Sequence, residues 1–194
     1  MDVFQHFACH TKLPVLLKDV YEHVFEHAGM ESINFYQTEL DTSIIGGFVR
    51  VFRWRERVAP YASADKCTAD VFLGAGLSPE WRRVVAVKEM IHLLDGHEQT
   101  SRTRERVSAL ITEMCLPFQA VQASLPGMTD RFGLLPALAI LLPRDALDYL
   151  RPQHVAKNIN DEAVAQLARI PAEMVPFLMT DAWKGVLENF DDGK

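Results

Sequence analysis

Apolar positions change period along the chain, and the change divides it. Between residues 14 and 28, Leu16, Leu17, Val20, Val24, Phe25 and Ala28 recur at helical spacing, with Gly29 as a stop. Residues 32–37 read as a short strand. Gly46-Gly47 marks a turn, residues 48–54 (F-V-R-V-F-R-W) alternate like a half-buried strand, and residues 68–73 (T-A-D-V-F-L) give a third. Gly74, Gly76 and Pro79 then break the chain. Beyond them the period is helical. Trp81, Val84, Val85, Ile91 and Leu94 stripe one helix, and Val107, Leu110, Ile111 and Met114 stripe another over 103–114. Residues 132–142 are apolar nearly all round, as in a helix buried inside a domain. A helix over 144–150 follows, then short amphipathic segments near 161–170, 172–180 and 183–190. Residues 1–12 are mixed and suggest partial order at best. Segregated strands and helices predict an α+β fold rather than a doubly wound sheet.

Composition narrows this picture only a little. A chain of 194 residues, 48% hydrophobic and 24% charged, has the size and make-up of one globular domain with a small appendage. The net charge of -6 favours neither nucleic acid nor an anionic membrane. Cys9, Cys67 and Cys115 lie far apart, with no C-x-x-C pair, so neither a disulfide framework nor a cysteine zinc site is indicated. There is no signal-peptide pattern, and no apolar run approaches the roughly 20 residues that span a bilayer. A cytoplasmic protein is the expectation.

Chemistry concentrates at Lys88-Glu89-Met90-Ile91-His92. The zinc-protease motif H-E-x-x-H places two imidazoles at i and i+4 on one helix face, with the intervening Glu as base toward a zinc-bound water. Glu89 and His92 stand at the right offsets, but Lys88 occupies the first ligand position. A protonated ammonium has no lone pair for zinc, and its charge opposes the ion. If Lys88 points into such a pocket, it would take the cation's place, pair with Glu89 or Asp130, and keep His92 nearby.

The run A-D-V-F-L-G-A-G-L-S-P-E-W-R-R-V-V-A-V-K-E-M-I-H-L-L-D resembles the core of the ImmA/IrrE-type metallopeptidase family: a strand, a helix entered through paired arginines (here Arg82-Arg83), then the metal motif. Ala137-Leu138-Ala139-Ile140-Leu141-Leu142-Pro143 is similar to the family's helix ending in Leu-Leu-x-Pro. The resemblance covers roughly residues 13–150. It implies a zincin-like domain over 1–150, with a short three-stranded sheet on helices, and a small helical extension over 151–194. It also implies an acidic third ligand ahead of the Leu-Leu-Pro helix, for which Asp130 is the matching candidate. Glu105 and Glu113 are weaker candidates, and Asp130 also reads as a helix N-cap.

Two functional classes follow. The first is a degenerate, non-catalytic member acting as a regulatory or protein-binding module, with Glu89 a vestigial base and no cofactor expected. The resemblance implies repressor-like protein partners in bacteria or mobile elements. The second is a zinc-dependent metallopeptidase with an altered ligand set: His92 and Asp130 as ligands, Glu89 as base, and His97 or another residue as replacement. Two protein ligands fall short of the three that catalytic zinc sites usually have.

Other constellations carry less. His23-Val24-Phe25-Glu26-His27 is a literal H-x-x-E-H, the inverted zinc motif, with Glu98 and Glu105 downstream. No strand precedes it, and the two histidines read better as the polar face of an amphipathic helix. Arg50, Arg53, Arg55 and Arg57 read as a solvated, edge-protecting row rather than a nucleic-acid site. The helix-turn-helix cadence of residues 160–179 has only Arg169 as a cation, so packing or partner contact is preferred to DNA reading.

Overall fold

The computed structural model describes residues 3–42, 45–59, 62–94 and 133–191. It begins with helices α1 (Val3–Ala8) and α2 (Leu17–Ala28), then strands β1 (Ser32–Thr38), β2 (Gly47–Ala59) and β3 (Ala62–Gly74). Helix α3 (Pro79–Ile91) follows. Beyond it come α4 (Leu134–Leu141), α5 (Arg144–Val155), α6 (Asp161–Ala168), a 3-10 turn (Ala172–Met174), α7 (Val175–Leu178) and α8 (Asp181–Asp191). The fold is α+β: among the described residues, two helices precede a three-stranded sheet and the remaining helices follow it. The helix expected over 103–114 lies outside the described residues.

β3 is the central strand, parallel to β1 and antiparallel to β2. Alternation assigns its two faces. Ile33, Ala69, Val71 and Leu73 are buried, with Val49 and Val51 beside them in register. Helix α3 lies on this face, against β2 and β3, with α2 and α4 packed along its other sides. Tyr36, Phe48 and Phe72 point the opposite way. β2 and β3 also run well past β1, whose pairing ends at Ser32↔Thr68, so the distal hairpin is a two-stranded ribbon.

Several sequence expectations change. Gly46-Gly47 does more than turn the chain. A Cβ on Gly47 would sit 2.7 Å from the Phe72 carbonyl oxygen and 2.7 Å from Val85 Cγ1, so glycine lets α3 approach the start of β2. The N-terminal segment, expected to be poorly ordered, forms α1 and buries Val3 and Phe7. Two turns of helix are too short for periodicity to register, and packing supplies the order. α5 does not stop at Leu150 but runs through Pro152 to Val155. The donor lost at Pro152 faces a carbonyl near exposed Asp148 and Tyr149, where water can replace it.

Among the described residues, one apolar cluster runs from Val3 and Phe7 through the α3 core to Trp183 and Leu187. The tail closes back on the start: Phe190 stacks on Phe4, with ring centroids 4.6 Å apart. Among the described residues, no helix is long and apolar enough to cross a membrane.

Candidate functional site

Helix α3 carries the motif and is anchored at its start by local chemistry. Ser78 is the N-cap, its side chain accepting from Trp81 N at 3.2 Å, and Pro79 opens the first turn. The paired arginines tie the helix down. Arg82 donates to the Ala75 and Leu77 carbonyls at 3.3 and 3.1 Å, and Arg83 donates to the Val15 carbonyl. Burial, with Arg169 nearby, lowers the Arg83 pKa to about 10. These arginines brace the helix against the β3–α3 connection and the segment before α2.

From Val84 to Ile91, every residue of α3 is buried. Adjacent helical residues point about 100° apart, so such a run requires neighbours on all sides. It puts both Lys88 and Glu89 inside, at 5% and 2% exposure. Lys88 Nζ lies 2.9 Å from Glu89 Oε1. Neighbours in sequence do not normally face each other on a helix. Here the ammonium and carboxylate bend together because burial leaves each a charge to satisfy. His92, the C-cap of α3, is half-buried, and its N–H donates to the Lys88 carbonyl at 3.2 Å.

The structure thus brings Lys88, Glu89 and His92 to the last turn of one helix. Asp130, His97, Glu98, Glu105 and Glu113 lie outside the described residues. Among the described residues, no group of three or more His, Cys, Asp or Glu side chains converges to hold an ion. Among the described residues, a lysine stands at the first ligand position of the motif, and its ammonium engages the carboxylate that would serve as base.

A cleft of about 730 Å³ opens beyond the end of α3, between the α2 C-terminus and the hairpin. Met30, Arg53, Asp65, Leu93 and Leu94 line it, and the Lys88–Glu89 pair does not. Glu89 is 2% exposed and does not border that cleft.

The sequence reading missed one cluster. His23 does not sit on a solvated helix face. It is 6% exposed, with the His6 ring tilted against it at 4.3 Å and the His27 ring stacked on it at 4.2 Å. Burial, followed by the neighbouring His6 and His27, lowers its pKa. His6 and His10, like His23 and His27, stand four apart in the sequence, but only the docking of α1 brings His6 onto His23.

No protein-family model matches the chain, and comparison with curated proteins and with solved structures also gives no match.

Proposed function

We propose that this protein is a non-catalytic, zincin-like module of the ImmA/IrrE type, acting through protein contacts rather than peptide hydrolysis. One observation carries the reading: the buried Lys88–Glu89 pair, 2.9 Å apart on the motif helix. In a working metallopeptidase that helix supplies a metal ligand and a free base. Here the side chain at the ligand position is a cation bonded to the base. A base must also reach the water it activates, and Glu89 is almost fully enclosed. Lys88 takes the role of the metal in the electrostatics of the helix, neutralising the carboxylate without offering a Lewis acid. The resemblance points to repressor-like regulators as partners.

The competing reading is a metallopeptidase in which His92 and Asp130 hold zinc with a third residue. It needs Lys88 to leave Glu89. The test is a Lys88→His variant assayed for zinc beside the parent. The proposal expects zinc uptake by the variant alone. Peptidase activity in the parent that disappears in Glu89→Gln would overturn it.

A further inference from the structure

The N-terminal segment meets α2 along a run of imidazoles. The His6 ring lies 4.3 Å from the His23 ring, tilted by 32°, and the His27 ring lies 4.2 Å from it at 22°. His10 extends the run, 5.9 Å from His6 and 5.1 Å from the Phe7 ring. His6 and His27 are exposed, whereas His23 between them is buried. His27 Nδ1 donates to the His23 carbonyl at 2.7 Å, which holds that ring against its neighbour. A metal ion does not account for the cluster. Rings stacked at 22° present faces to each other, and among the described residues no three such side chains converge on an ion. The remaining ligand that imidazoles take near neutral pH is the proton.

We propose that this seam is a proton-operated clasp: acidification charges the histidines along it and releases α1 from α2, while the sheet and α3 stay folded. Neutral rings pack face to face, but like charges this close disfavour one another. Burial, then His6 and His27, lowers the His23 pKa from 6.5. The docked form therefore binds that proton more weakly than a form with His23 in water, and falling pH favours release. The amino group of the chain acts in the same sense, and Glu26, exposed on α2, opposes it. α4 packs on α1 and brings no ionisable side chain. α3 packs on α2 and α8 on α1, and their charged residues are not among the groups that shift His23.

What opposes release is confined to a few side chains. α1 has six residues, too few to stay helical once undocked. Val3 and Phe7 are its buried residues, and Phe4 stacks on Phe190 of α8. An element near a chain end, held by a few contacts, opens at lower free energy than a central strand or a fully packed helix. Its main contacts are with α4 and α8, so β3 and α3 keep their own packing when it leaves. Release uncovers the apolar ground of α4 and α8 under Val3, Phe4 and Phe7. The clasp thus couples proton concentration to the exposure of an apolar surface, as histidine clusters do where protonation biases a two-state element.

The test is hydrogen–deuterium exchange of the full chain between about pH 7.5 and about pH 5.5, the range in which histidine changes charge. Rates are corrected for the intrinsic effect of pH, and the α1 peptide is compared with peptides from β3 and α3. The proposal expects α1 protection to fall at least about tenfold across the range, the ratio that one extra proton on the released form gives per pH unit. Protection of β3 and α3 should stay unchanged. In His23→Gln, which cannot take the proton, the fall in α1 should shrink to about twofold or less. Where that variant leaves α1 unprotected at neutral pH already, His6→Gln takes its place and should show a smaller fall than the parent. α1 protection that does not change with pH overturns the proposal. A loss shared equally by β3 also overturns it, because the whole fold then opens and not the clasp. So does a variant that keeps the parent's full fall, which would assign the effect to groups outside the seam.

Discussion

At the scale of single residues, Lys88 and Glu89 form a unit whose halves cannot be removed separately. Lys88→Met would leave a buried carboxylate without its counter-charge, and Glu89→Leu would leave a buried ammonium. Each should cost about 3–5 kcal/mol in chemical denaturation, whereas the double change Lys88→Met/Glu89→Leu should recover most of the loss. A double variant no more stable than the singles would mean that the pair does not act as a unit. This half of the site was legible: the offset of Lys88 within the motif already placed a cation beside Glu89. The role of His23 was not, because helical spacing alone does not say which face a distant segment will cover. Its burial makes a pH prediction. The folded-state pKa lies below the ordinary value of 6.5, so the unfolded chain binds the proton first as pH falls. The stability present above pH 6.5 should decline as the pH drops from there toward the lowered folded-state value. His23→Phe should flatten that part of the profile in thermal melts; an unchanged slope would assign it to other groups.

At the scale of elements, α2, the three strands, α3 and the apolar α4 were all readable from period, because each has one clear environment. α4 is apolar all round and so lies inside. β2 and β3 proved longer than expected, since the hairpin's distal half is exposed on both faces and loses the half-buried alternation. α1 escaped notice because it is two turns long and owes its order to what it packs on. Phe7→Ala should therefore cost about 3–5 kcal/mol, as expected for a fully buried aromatic. It should also make the first residues of α1 protease-sensitive; a loss below about 1 kcal/mol would show that α1 is loosely held. Gly47→Ala should destabilise by roughly 1–3 kcal/mol, since the added Cβ would strike the Phe72 carbonyl and the Val85 side chain. An unchanged denaturation midpoint would show that α3 can retreat from β2.

At the scale of the molecule, one apolar cluster among the described residues joins α1, the sheet, α3 and the tail. Trp183 is fully enclosed in it, 95 positions beyond the motif at Lys88. The general class was legible because strands and helices separate along the chain, while the closure of α8 onto α1 was not, because no local pattern encodes a contact between distant ends. The buried pair sits on α3, the helix that packs against α2, β2, β3 and α4. Its identity as a filled metal position is the central claim, and zinc content tests it most directly. The parent protein, purified without chelator and analysed by atomic spectroscopy, should carry no stoichiometric zinc. A near-stoichiometric zinc content that is lost in His92→Ala would contradict the account.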